Sequence, residues 1–277
     1  MRPSEYEQDI NVILAKRTHL GGDFWATPDG RVGKGSPFST LECVLMLSEL
    51  GLDSSHPVLK GACDLLWSLQ RPDGRFRIAP TGAIYPCQTI GVTRVLCYAG
   101  QSADPRLERS FQHLLESQHG DGGWRCLKFS YGRGPETEFS NPGPTLDALD
   151  AFRFSGYLNR EAKLDKAVEF LLQHWVTRQP LGPCHFGIGS LFMRVEYPFR
   201  RYNLLYYLHA LSFYDRARGD PRFRDAFGVL QAKLRDGMVV VENPHKLLAG
   251  FSFCRRGEPS GVATQRYGEM VKRLRRG

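Results

Sequence analysis

The chain has 277 residues, of which 42% are hydrophobic and 24% charged. That balance supports a sizeable core and excludes a disordered or fibrous protein. No apolar run reaches the roughly 18 residues a membrane span needs, and the start, Met1 to Glu7, has no apolar segment of the exported kind, so the expected location is cytoplasmic. A net charge of +8 gathers at Arg200-Arg201, at Arg255-Arg256 and in the tail Lys272-Arg273-Leu274-Arg275-Arg276. Such charge suits phosphate groups or peripheral contact with an acidic membrane, but no basic-aromatic alternation accompanies it, so nucleic acid is not an expected partner.

In chain order, Glu5 to Lys16 reads as an amphipathic helix ending near Gly21-Gly22. Three blocks then repeat one pattern. Thr40-Leu41-Glu42 leads to Gly51, Thr89-Ile90-Gly91 to Gly100, and Thr145-Leu146-Asp147 to Gly156. Each block predicts a short apolar helix closed by a glycine in the left-handed conformation. Helices of a second kind alternate with these. Their starts are Ser55-His56-Pro57, Asp104-Pro105 and Asp220-Pro221, a cap residue followed by proline at the first helical position. They run from Leu59 to Leu69, Leu107 to Gln118 and Phe223 to Leu234, with a fourth at Ala162 to His174, and three of them break at Asp73-Gly74, Asp121-Gly122-Gly123 and Asp236-Gly237. Irregular loops are expected at Gly30 to Ser36, Phe129 to Pro144 and Pro180 to Pro198. A fourth apolar block opens at Asn203, and a closing helix spans Ala263 to Leu274.

A period of roughly 48 to 60 residues with two helices per repeat predicts stacked helix pairs. Helices apolar on most sides must lie between other helices. About five pairs forming an all-α α/α toroid satisfy that, as one domain over residues 1–277, and a linear solenoid is the competing arrangement.

Leu114-Leu115-Glu116-Ser117-Gln118 followed by Asp121-Gly122-Gly123-Trp124 resembles the glutamine-tryptophan repeat of terpenoid cyclases. Gln70 to Phe76 is a weaker copy, and Gly21-Gly22-Asp23-Phe24-Trp25 a third without the glutamine. The chain as a whole resembles small bacterial squalene-cyclase-like and prenyltransferase-like proteins, with prenyltransferase / squalene-oxidase-type repeats. The resemblance implies an aromatic-lined cavity for an isoprenoid or other apolar ligand, reached from the N-terminal ends of the apolar helices. It implies either a carboxylic acid that protonates a polyprene or a zinc ion that activates a thiol. The sequence departs from both patterns. The cyclase Asp-x-Asp-Asp is absent, its nearest counterpart being Asp147-Ala148-Leu149-Asp150, and the third Cys/His position of the small bacterial members reads Phe139-Ser140-Asn141.

Three constellations are candidates for chemistry. Asp147 and Asp150, three apart, share one helical face. One could act as an acid, or Asp147 could complement its helix N-terminus while Asp150 pairs with Arg153. Cys87, Cys126 and Cys184-His185 lie at loops beside helix starts and combine thiolates with an imidazole, the donors zinc prefers. Against that stand ordinary buried or loop thiols, and the odd number of cysteines, seven, argues against a disulfide framework. Arg200, Arg201 and Tyr202 open the fourth block, where guanidinium groups could hold a diphosphate or serve surface ion pairs. Tyr202, Tyr206, Tyr207, Phe213 and Tyr214 could line a carbocation pocket or fill the core. Two functions follow. One is an isoprenoid cyclase or prenyltransferase-like enzyme; the other is a non-catalytic toroid, zinc-stabilised or not, that binds a partner or an apolar molecule.

Overall fold

The computed structural model describes residues 6–126 and 135–275. Glu5, the first part of the predicted loop after Phe129, and Arg276 lie outside the described residues. Those residues form eleven α-helices and no strand, with four isolated bridges, three of them across short turns. They divide into two compact units, one ending at Glu116 and the other beginning at Ser117. No described helix is long and apolar enough to cross a membrane.

The first unit holds α1 (Glu7–Ala15), α2 (Thr40–Glu49), α3 (Pro57–Ser68), α4 (Pro86–Leu96) and α5 (Pro105–Glu116). The apolar helix α2 packs against α1, α3 and α4, and α4 against α3 and α5. The second unit holds α6 (Pro142–Phe152), α7 (Ala162–Thr177), α8 (Leu204–Leu211), the short α9 (Asp215–Arg218), α10 (Pro221–Gln231) and α11 (Gly261–Leu274). Here α6 lies against α7 and α8, and α8 also meets α10 and α11. All eight residues of α8 are buried, whereas α10 buries only Phe223, Ala226, Phe227 and Leu230. An apolar helix enclosed by amphipathic neighbours is what the two kinds of sequence pattern require.

The glutamine-turn motif acts as a clasp inside each unit. The Gln118 side-chain amide donates to Gly122 O at 2.5 Å and to Lys163 O at 2.9 Å, tying the turn to the first residues of α7. Trp124 is fully buried, stacks on Phe152, and donates its backbone N–H to Thr145 Oγ1 at 3.1 Å. In the first unit Gln70 reaches Arg106 O and Ser110 Oγ at the start of α5, and Phe76 N–H donates to Thr89 Oγ1 at 3.2 Å. The repeated threonine is thus the acceptor for the turn aromatic's amide.

Helix starts differ from expectation in one respect. In α2 the repeat threonine, Thr40, is the first helical residue, with Ser39 capping Glu42 N–H. In α4 and α6 the helix begins a turn earlier, at Pro86 and Pro142, because proline preorganises the first position. Gly51 and Gly100 have the expected positive φ of 84° and 79°. Gly156 is not among the positive-φ glycines; α6 ends instead at Arg153 in ordinary helical geometry.

Candidate functional site

The second unit contains a cavity of about 480 Å³ where α6 and α8 begin. Its wall includes Asp147 from α6, Tyr206 from α8, Tyr202, Arg200 and Arg201 from the segment before α8, and His185 and Phe186 from the loop after α7. Local capping explains this convergence. Asn203 accepts the Tyr206 N–H and donates to Arg201 O at 2.8 Å, which fixes how the chain enters α8. Asn141, the residue just before α6, does not cap its own helix with its side chain. Its Oδ1 accepts Cys184 N–H at 3.1 Å and so draws the 178–188 loop over the helix start. Gly143 completes the fit, since a Cβ there would stand 2.5 Å from the Phe186 ring.

Asp147 lies on the second turn of α6, past the reach of the helix-terminal charge, so complementing that terminus is not its role. The Tyr206 hydroxyl donates to Asp147 Oδ1 at 2.7 Å and stands 3.2 Å from Asp150 Oδ2. Asp150 has no exposed side-chain surface, and Arg153 Nε donates to its Oδ1 at 2.6 Å, the ion pair anticipated from spacing. One phenol thereby joins a cavity-lining carboxyl to a buried, charge-compensated one.

The arginine pair is balanced by a residue that the sequence did not single out. Glu196, almost fully buried, lies 3.6 Å from Arg200 and 3.9 Å from Arg201. Arg200 is itself buried, whereas Arg201 exposes 57% of its side chain, so Arg201 is the cation presented to incoming molecules. Phe186, Leu191, Phe192 and Asn243 also line the cavity unannounced. They belong to irregular segments without periodicity, where no face can be read from sequence.

The aromatic set divides. Tyr202 and Tyr206 line the cavity; Tyr207 and Tyr214 are core, donating to Leu171 O and Leu149 O. Phe213 lies under the guanidinium groups of Arg153 and Arg273. Burial pushes the Tyr202 phenol well above its ordinary range. Its hydroxyl meets His174 Nδ1 at 2.9 Å, and burial lowers the His174 pKa. His174 also lines a second cavity, about 720 Å³, along α7 between Asp165 and Thr177, together with Leu181 and Phe139.

The cysteines are not part of the cavity wall. Cys87 is exposed at the second position of α4 in the first unit, Cys126 is buried in the second, and Cys184 is exposed beside His185. Among the described residues no three of His, Cys, Asp and Glu gather in a way that could hold a metal ion.

Fold and site together define an all-α protein of alternating helices with a cavity lined by aromatic rings, a carboxyl and an arginine pair. No protein-family model matches the chain, and no curated protein matches it. Among solved structures it is similar to a UGL variant with dGlcA-Glc-Rha-Glc, at 16% identity and TM-score 0.51, over 99% of this chain and 80% of that one. It is also similar to a variant of the type II terpene cyclase MstE from Scytonema in complex with the substrate geranylgeranyl dihydroxybenzoate, at 15% identity and TM-score 0.48, over 99% and 79%. A protein from Actinoplanes follows at 17% identity and TM-score 0.45, over 97% and 82%. At such identities likeness speaks at most for fold; the all-α class expected from the sequence rests on the eleven helices of the described residues.

Proposed function

We propose that the protein binds an isoprenoid or similar apolar molecule in the α6–α8 cavity and that Asp147 acts there as a general acid. The observation that carries this reading is the convergence of Asp147, the rings of Tyr202, Tyr206, Phe186 and Phe192, and Arg201 on one cavity wall. The size suits a small ligand, since such sites run from roughly 300 to 1,000 Å³.

The chemistry follows from the groups present. A proton on Asp147 passes to one carbon of a ligand double bond, forming a C–H bond and leaving a cation on the neighbouring carbon. Electron-rich faces of Tyr202 and Tyr206 stabilise that cation, and the next double bond of the ligand closes a ring onto it. Loss of a proton from the final cation to water or to the Asp147 carboxylate completes an isomerisation with no other reactant. Asp150 is paired with Arg153, so the Tyr206 hydroxyl can turn its hydrogen bond to Asp150 and accept one from a protonated Asp147. Arg201 is placed to donate to the ligand's polar headgroup, an alcohol or an anion.

Asp147→Asn preserves size and hydrogen bonding but removes the acid. Turnover of a polyprene should fall by about 100-fold or more while affinity changes little, the range for loss of a general acid. An unaltered rate removes Asp147 from the mechanism. A second reading, binding without catalysis, is favoured by one observation: Glu196 and the arginines already compensate each other, as they would in a passive pocket. Binding with no turnover by the wild type supports it.

A further inference from the structure

Two cavities of the second unit, of about 480 and 720 Å³, are lined by residues that touch each other. Tyr202 lines the cavity between α6 and α8, and its hydroxyl bonds His174, which lines the cavity along α7. The two rings stack, with centroids 5.7 Å apart and planes within 19°. The 178–188 loop repeats the arrangement. Leu181 and Phe186 pair across an antiparallel bridge, Leu181 facing the α7 cavity and Phe186 the α6–α8 cavity.

Hydrogen bonds and ring contacts hold this wall. His174 Nε2 stands 2.9 Å from Gln179 O, and a carbonyl only accepts, so that nitrogen carries the proton. Burial favours the neutral imidazole, and with the proton on Nε2, Nδ1 is the acceptor for the Tyr202 O–H. Phe192, with centroid 4.7 Å away, and Phe186, edge-on at 6.0 Å, hold the phenol ring in place from the other side. Nothing in the acid chemistry proposed for Asp147 needs this bond.

We propose that Tyr202, held by His174, is the partition that sets the length of chain the α6–α8 cavity accepts, and that removing its ring joins the two cavities into one channel for a longer polyprene. This inference rests on the proposed isoprenoid-binding reading. The ligand headgroup stays at Arg201 and Asp147, and the tail ends against the Tyr202 ring. With the ring gone, the tail continues past His174 to Phe170 and Leu181.

The test is the affinity of the wild type and of Tyr202→Ala for geraniol, farnesol and geranylgeraniol, measured by calorimetry or tryptophan quenching. Each added methylene in apolar surroundings multiplies affinity several-fold, so Tyr202→Ala should gain about tenfold or more for geranylgeraniol relative to geraniol. Tyr202→Phe, which keeps the ring, should retain the wild-type ranking. Leu181→Trp fills the α7 cavity; it should leave wild-type binding unchanged and cancel the gain in the Tyr202→Ala background. If Tyr202→Ala does not fold, by circular dichroism, Tyr202→Leu takes its place. An identical ranking in the wild type and the truncated variant overturns the partition while leaving the binding reading intact. A wild type that binds none of the three alcohols overturns both.

Discussion

The Asp150 carboxyl is buried to the last atom, and its cost is met by Arg153 at 2.6 Å and by the nearby Tyr206 hydroxyl. Removing one partner of a buried pair leaves an uncompensated charge, which is dearer than the pair itself. Arg153→Met should therefore destabilise the protein by roughly 3–5 kcal/mol in urea unfolding. Asp150→Asn combined with Arg153→Met should recover part of that loss; additive costs would show that the two residues are not coupled. The spacing of Asp147, Asp150 and Arg153 was legible in the sequence, because residues three apart share a helix face. The bridge made by Tyr206 was not. It depends on which side of α8 meets α6, and a helix buried all round carries no amphipathic signal to say.

Turns between helices separate residues that need glycine from those that merely contain it. Gly122 has φ of 98°, and a Cβ there would stand 2.5 Å from Lys166 O, a backbone atom that cannot yield. Gly122→Ala should cost more than about 1 kcal/mol, through strain at positive φ plus displacement of α7. Gly156, exposed and with no atom within 4 Å of the same position, offers the opposite case. Gly156→Ala should be neutral or stabilise by about 0.4–1 kcal/mol, by restricting the unfolded chain. Melting curves of the two variants decide it, and equal losses would refute the distinction. Sequence alone treated Gly156 as the counterpart of Gly51 and Gly100, since all three end a block at the same distance. It could not show that α6 ends at Arg153, three residues before Gly156, and closes there without a left-handed residue. The clasps of Gln70 and Gln118 were visible as motifs, while their long-range acceptors on the next helix depend on packing.

Over the second unit as a whole, acid stability depends on charges buried between α6, α8 and α11. His209, fully enclosed on α8 between the rings of Phe199 and Phe213, has its pKa lowered by burial to about 4 from an ordinary 6.5, although Glu269 stands 3.6 Å away. Burial alone would raise Glu269; the contact with His209 and the charge of Arg266 outweigh it and bring it down to about 2 from 4.5. Arg153 and Asp150 face the same histidine with opposing effects. The signs agree. A histidine with a depressed folded pKa is protonated more readily when unfolded, so its stabilising contribution is whole above pH 6.5 and is lost as pH falls towards 4. A depressed glutamate contributes above 4.5 and loses that contribution as pH falls towards 2. The first step is worth on the order of 3 kcal/mol. Unfolding free energies measured at intervals between pH 7 and pH 4 should fall by that order in the wild type. They should fall distinctly less in His209→Gln, which fills the space without titrating. Parallel curves for the two proteins would assign the acid sensitivity to other groups, with His174, also buried and lowered, the next to replace.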